Sequence, residues 1–341
     1  MTAALIASGR RHRVRRRALV CAIIAAAVLA LFVAALLMGR TFYPLADVVG
    51  VLLGEQVPGA SFTVGELRLP RAVLAVLVGF AFGVAGVTFQ TLLRNPLASP
   101  DIIGISWGAS AAAVVAIVGF SVSQTAVSVV ALAGAIVTAV AIYLLAHRGG
   151  FAGARLILIG IGISAMLQSV VAYMLSRAAD WDLQAAMQWL AGSLNSASWE
   201  RVAPLAAASA LLVPALLLQS RKLGALRLGD DSAASLGIRV DRVRLTLIVC
   251  AVMLLAMATA ASGPVAFVAF MAGPVAARLV GPGASLIVPA GLVGALLVLG
   301  ADLAGQFAFD SRYPVGVITG VLGAPYLIYL LTRTNRSGAS I

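Results

Sequence analysis

The chain has 341 residues, of which 62% are hydrophobic and only 11% are charged. Soluble domains average about 45–50% apolar and about 25% charged residues, so this composition excludes an ordinary soluble globular protein and points to the membrane. The net charge of +12 does not indicate nucleic acid, because the basic residues flank apolar runs instead of forming one face, and membrane lipid is the surrounding the sequence suits.

Segment 1–17 carries Arg10, Arg11, Arg13, Arg15, Arg16 and Arg17 and is expected to be a basic cytoplasmic N-terminal segment. The first apolar run, 18–38, matches the roughly 20 residues that cross about 30 Å of hydrocarbon. A cleavable signal core is shorter, about 7–15 residues, so a retained first helix is expected. Further runs follow at 69–93, 102–120, 124–146, 155–176, 202–219, 243–261, 264–280, 285–308 and 314–332. They predict an all-α polytopic membrane protein with about ten transmembrane helices in one domain, 18–333, and a cytoplasmic tail at 334–341. A β-barrel is excluded, because the runs are continuous and do not alternate with a period of two. Ala261-Ser-Gly-Pro264 divides one long run in two, since proline ends or kinks a helix.

With the N-terminus inside, the inner loops hold Lys222 and all the arginines except Arg40, Arg68, Arg71, Arg177, Arg201 and Arg312, a clear positive-inside bias. The outer loops collect acids instead: Asp47, Glu55, Glu66, Asp180, Asp182, Glu200 and Asp310. Both termini are therefore expected to be cytoplasmic.

The sequence gives little to enzyme chemistry. Cys21 and Cys250 lie far apart in apolar runs, and His12 and His147 have no ligand-spaced partner, so neither a disulfide nor a metal site is expected. Lys222 is the only lysine, and it does not follow a phosphate-binding glycine turn. If ATP drives this protein, another chain hydrolyses it. Asp302, inside the ninth run, is a costly intramembrane charge with no partner in nearby sequence. A structural hydrogen-bonding role is expected of it ahead of a direct role in transport. Gly79-Phe-Ala-Phe-Gly83 is expected to seat helix against helix within the chain.

Three polar motifs remain. Gly65-Glu-Leu-Arg-Leu-Pro-Arg71 places Arg68 and Arg71 three residues apart at a helix start, so both can face one way. Interfacial snorkelling is one reading, and docking of an acidic partner is the other. Arg94-Asn95-Pro96-Leu97-Ala98-Ser-Pro100-Asp101 joins two spans, and its prolines force a structured, non-helical connection. Residues 226–239, LRLGDDSAASLGIR, form a polar island in the largest inner loop. Asp230, Asp231 and Ser232 can start a short helix there, and Gly237 can end it, leaving Ala233, Ala234 and Leu236 as a small apolar surface.

Together these motifs resemble the iron-siderophore and vitamin B12 permease family of ABC importers, the FecCD/BtuC type. LRLPR at 67–71 resembles its outer-mouth motif, and GVTFQTLLRNPLASPDIIGISWGAS at 86–110 its signature with Gln90, Arg94 and Gly104. Trp189-Leu-Ala-Gly-Ser-Leu194 with Trp199, GPVAFVAFMAGPVAARLVG at 263–281 with Pro274 and Arg278, and Tyr313-Pro314-Val-Gly316-Val with Gly323-Ala-Pro325-Tyr are similar to further segments. The resemblance implies ten helices and a permease dimer, which is homodimeric or heterodimeric in that family. It also implies two cytoplasmic ABC ATPase subunits that use ATP and Mg²⁺, an extracytoplasmic binding protein, and no cofactor on this chain. It implies that Arg68 and Arg71, with Arg312, dock the binding protein, and that Leu228, Gly229, Asp230, Asp231, Ser232, Ala233, Ala234, Leu236 and Gly237 couple to the ATPase. Two departures stand out: Val275 follows Pro274 where the family often has histidine, and Phe270-Met271 replaces a Gly-Leu-type pair. Ferric siderophore is the expected cargo, with haem or a cobalamin as the alternative. A stand-alone secondary transporter and a non-transport scaffold compete with this reading, but neither accounts for an outer arginine pair together with a patterned inner island.

Overall fold

A computed structural model of the chain describes residues 2–99, 104–146, 153–281, 283 and 285–336. Among them every regular element is helical. The first helix, α1, runs Thr2–Leu37 and α2 runs Leu45–Leu52. A short turn at Ala60–Phe62 and a π-helical stretch at Thr63–Arg68 lead without a break into α3, Leu69–Leu92. Then come α4 Ile105–Phe120, α5 Gln124–Ala146, α6 Gly153–Arg177 and α7 Asp180–Leu190. They are followed by α8 Trp199–Leu218, α9 Ser220–Leu226, α10 Asp230–Ser235 and α11 Val240–Ser262. The last three are α12 Val268–Val280, α13 Ile287–Phe307 and α14 Val315–Arg336.

Eight helical segments among the described residues are long and apolar enough to cross a membrane. Two of the ten expected spans are shorter, α4 with 16 residues and α12 with 13. At 1.5 Å per residue they extend about 24 and 20 Å, less than the hydrocarbon thickness. The sequence expectation differs from the structure in three other places. The basic segment 1–17 is helical from Thr2 and continuous with the first span, because nothing in it breaks a helix. The eighth run begins at Val268, not 264, because Gly263 at φ +73° and Phe267 at φ +62° take the chain out of the right-handed region and Pro264 donates no amide. The break at 261–264 therefore separates two helices. The short α7 falls where no apolar run signals a span.

Helices α3, α11 and α13 form the centre, and most of each is buried within the chain. Small residues allow this. A Cβ on Gly79 would meet the backbone of Gly294 and Ala295 on α13, and one on Gly83 would meet Ala290 and Gly291. Gly86 lies equally close to the backbone of Ala269 on α12. Lipid gives helices no hydrophobic drive to associate, so close backbone approach carries the packing. The glycine pair thus serves contact inside the chain. Around this centre α1, α5, α6, α8 and α14 bury only a minority of their residues within the chain and leave large apolar side chains exposed, including Leu144, Leu158, Met166, Leu211 and Ile328. Such a surface is stable only against lipid or another apolar chain.

Candidate functional site

Arg71 opens α3 and Arg94 follows its end, so the two arginine motifs lie at opposite ends of one buried, 24-residue helix. At the Arg94 end, the chain leaves α9, passes Leu228 and Gly229, and starts α10 at Asp230. Gly229 adopts φ +113°, a conformation open to glycine, and Gly237 at φ +77° ends the element. Asp230 is a clamp. Its Oδ1 accepts from Arg94 Nη2 at 2.5 Å and its Oδ2 from Arg244 Nη2 at 2.8 Å. Arg94 Nε also donates to the Leu226 carbonyl at 2.9 Å. The Arg244 hydrogen bond, with Arg94 beside it, holds the Asp230 carboxyl below the usual aspartate range. One carboxylate thereby joins the α3–α4 connection, the short α10 and the base of α11.

The short helix does not present all its small residues alike. Ala233 is fully buried against the chain, while Ala234, Asp231 and Ser232 are exposed, and Leu228 and Leu236 are 69% and 65% exposed. The expected surface of Ala233, Ala234 and Leu236 is therefore corrected. Ala233 points inward, where the Ile238 N–H donates to its carbonyl, and the outward apolar surface is Leu228, Ala234 and Leu236.

The connection after α3 is structured, as its prolines imply. Arg94 has φ +51°, the Leu97 N–H donates to Asn95 Oδ1 at 2.9 Å, and the Ala98 N–H donates to the Asn95 carbonyl. Gln90 Nε2 donates to the carbonyls of Pro96, at 2.9 Å, and Phe270, at 3.0 Å. A Cβ on Gly273 would overlap Gln90 Oε1, so this glycine leaves room for the amide that ties the loop to α12. Pro100 lies outside the described residues, as do the adjoining 101–103, residues 147–152 and residues 337–341. Gly104, at φ +96°, precedes α4 and has no room for a side chain beside Ser164. Pro274 sits within α12 and Pro325 within α14. Arg278 stacks over the Tyr329 ring, 4.8 Å from its centroid, and Phe270 and Met271 pack on Leu330.

At the Arg71 end, Arg68 donates to the carbonyls of Leu36, Leu37 and Thr41 at 2.8, 3.0 and 2.6 Å. It lies 4.9 Å from the Tyr43 ring centroid. It thereby closes the C-terminal end of α1, where a cation also suits the helix dipole. Arg71 donates from Nε and Nη2 to Asp302, at 3.0 and 2.8 Å, and Gln306 Nε2 donates to the same carboxylate at 2.7 Å. Asp302 is 4% exposed and Arg71 is 21% exposed. Asp302 therefore does have a partner, 231 residues away in sequence. Arg68 and Arg71 do not stand free as a pair, because the first turn of α3 aims Arg71 at α13. Arg312 is exposed on the loop before α14, and the Pro314 carbonyl accepts from the Val317 N–H.

The Trp189–Leu194 motif packs between α11 and α14. Ser193 N–H donates to the Ser262 carbonyl at 2.8 Å and Gly316 N–H to the Gly192 carbonyl at 3.1 Å. Any side chain at Gly316 would strike the Ala191 carbonyl. Two participants escaped sequence reading. Gln306, one helical turn from Asp302, was legible from i,i+4 spacing, whereas Arg244 gave no local sign of its pairing with Asp230.

Buried helices held by backbone-close glycines, lipid-ready outer helices and separate polar machinery at each end define a multi-pass membrane transport permease. A sequence model of the FecCD transport family matches residues 24–333, and the chain belongs to that family. It is 40% identical over 323 residues to the ferric enterobactin transport system permease protein FepG of Escherichia coli (strain K12), covering 94% of this chain and 98% of that protein. It is 40% identical over 310 residues to the achromobactin transport system permease protein CbrC of Dickeya dadantii (strain 3937), covering 90% and 89% respectively. Among solved structures it resembles a metal-chelate type ABC transporter in an inward-facing conformation, with a TM-score of 0.82, 26% identity, and 92% and 98% of the two chains covered.

Proposed function

We propose that this chain is the membrane permease subunit of an ABC importer that moves ferric siderophore across the cytoplasmic membrane of a bacterium. The relatives named for ferric enterobactin and achromobactin transport support that cargo. A second permease subunit, two ABC ATPases that use ATP and Mg²⁺, and an extracytoplasmic binding protein complete the assembly. The chain itself needs no cofactor and performs no catalysis. Both termini face the cytoplasm, which places the Arg94 end inside and the Arg71 end outside.

The observation that carries this reading is the Asp230 clamp. A helix of six residues turns Ala234 outward between the exposed flanking Leu228 and Leu236, yet is bonded through one carboxylate to Arg94 and Arg244. A push on the exposed face of α10 is therefore delivered to the α3–α4 connection and, through Gln90, to α12. A chain that cannot hold ATP needs such a receiver. At the other end the exposed Arg312, with no ion pair among the described residues, is the docking charge. Arg68 and Arg71 keep unspent N–H donors beside their internal bonds and add register more than affinity.

The test is reconstitution with the cognate ATPase and binding protein in liposomes, measuring uptake of ⁵⁵Fe-labelled siderophore. ATP-dependent, vanadate-sensitive uptake is expected. Uptake that runs on an ion gradient without ATP would instead establish a secondary transporter.

A further inference from the structure

A polar cavity of about 200 Å³ lies at the Arg71 end, between the starts of α5 and α8, the helix α7 and the end of α11. Gln124, Gln188, Trp189, Asn195, Ser196 and Arg201 line it. Arg201 is half-buried, and among the described residues its guanidinium meets only neutral acceptors. These are Ser196 Oγ at 2.7 Å, Gln124 Oε1 at 2.8 Å and, weakly, the Ala261 carbonyl at 3.4 Å. A guanidinium carries five N–H donors and does not lose its charge. These three contacts leave donors over and the charge unbalanced. Three other arginines within the fold are balanced differently: Arg71 and Arg244 by carboxylates, and Arg68 by the carbonyl end of α1. Arg201 sits instead in the first turn of α8, where the helix dipole disfavours a cation.

A second, independent observation points to a ligand. Trp189 is 8% exposed, yet among the described residues its indole N–H has no acceptor. A buried donor left unpaired costs free energy, and native structures keep few of them. An unbalanced cation and the tryptophan that carries the orphaned donor line one cavity, beside the amides of Gln188 and Asn195, and specify an acceptor that carries negative charge.

We propose that this cavity binds one anionic oxygen arm, a carboxylate or catecholate, of the chelate being imported, with Arg201 supplying charge and Trp189 a hydrogen bond. The inference rests on the siderophore reading above. The size limits the occupant: sites for drug-sized ligands run from about 300 to 1,000 Å³, so this one takes a limb of the chelate and not the whole of it.

The probe is citrate, a carboxylate anion, added to the assembled transporter in lipid nanodiscs at constant ionic strength. Melting temperature and equilibrium dialysis of labelled citrate are the readouts. Saturable binding that raises the Tm is expected. Arg201→Gln is expected to weaken binding about tenfold to a hundredfold, since a charge-assisted hydrogen bond is lost, with Arg201→Lys in between. Trp189→Phe removes the orphaned donor, so the ligand-free Tm should hold or rise while the citrate-induced shift shrinks. That opposition separates a binding role from a structural one and remains readable if Arg201→Gln fails to fold. Equal citrate binding in wild type, Arg201→Lys and Trp189→Phe would overturn the proposal. So would displacement of citrate by equimolar phosphate with equal affinity, which would mark a simple inorganic anion site. ATP-driven siderophore uptake by the wild type is measured alongside. If uptake stands and citrate fails to bind, only this subsite falls; if uptake ignores ATP, the reading of the whole protein falls.

Discussion

The Arg71–Asp302 pair makes a sharp prediction, because a bond within the chain and a docking charge respond differently to the same mutations. Asp302→Ala leaves Arg71 and Gln306 facing a buried site without an acceptor. Removing one partner of a buried pair costs about 3–5 kcal/mol. Arg71 is 21% exposed and can recover some solvation, so the lower end applies, about 3 kcal/mol, or roughly a hundredfold in the folded-to-unfolded ratio. Asp302→Asn keeps an acceptor but no charge and is expected to cost less, about 1.5–3 kcal/mol. The double variant Arg71→Met with Asp302→Ala removes both charges, so its loss should fall short of the sum of Arg71→Met and Asp302→Ala by about 1–3 kcal/mol. The assay is a double-mutant cycle by denaturant unfolding of the purified permease in detergent, with expression level as a second readout. Single losses that add to within about 0.5 kcal/mol would refute the coupling of Arg71 to Asp302. Normal stability of Asp302→Asn together with abolished transport would move Asp302 into the transport path.

The remaining predictions concern the two ends and the centre. Ala234→Asp is expected to weaken ATPase association several-fold in a pull-down while leaving permease stability unchanged; Ala233→Asp, at a fully buried site, should instead destabilise the permease itself. Gly79→Ala and Gly83→Ala should each cost about 1–3 kcal/mol through overpacking against α13, with no loss of the proposed permease dimer by light scattering; loss of that dimer at unchanged stability would contradict the internal packing. Asp230 has a depressed pKa. Its pairing therefore contributes in full above the ordinary aspartate value of about 3.8 and is lost as pH falls through the lower folded value. Hydrogen-exchange protection of α10 amides, taken relative to the intrinsic rate at each pH, should fall only in that acid window, and Asp230→Asn should be poorly protected at every pH; protection that is flat with pH in the wild type would refute the Asp230 clamp. Arg312→Glu should weaken binding-protein docking, read by surface plasmon resonance, by more than Arg68→Gln, because Arg68 is occupied by three carbonyls.

Composition and patterning were sufficient for much of this protein. Continuous apolar runs of membrane length dictate helices, since lipid offers no partner to an unpaired backbone group. The same local logic placed α10 between Asp230 and Gly237, made the Arg94–Ala98 connection a turn, and divided α11 from α12 at Gly263-Pro264. These are features of neighbouring residues and are legible one window at a time. What the tertiary structure decided was pairing over distance. Asp302 looked solitary because its partner lies 231 residues away, and Arg71 looked available for the same reason. Ala233 and Ala234 are chemically identical neighbours, and only the packing of α10 on the chain turns one inward and the other outward. The unbalanced charge of Arg201 could not be read from its sequence surroundings either, where Glu200 stands next to it. The guanidinium turns into a cavity of neutral groups, and which charges meet is settled by helices crossing, not by order along the chain.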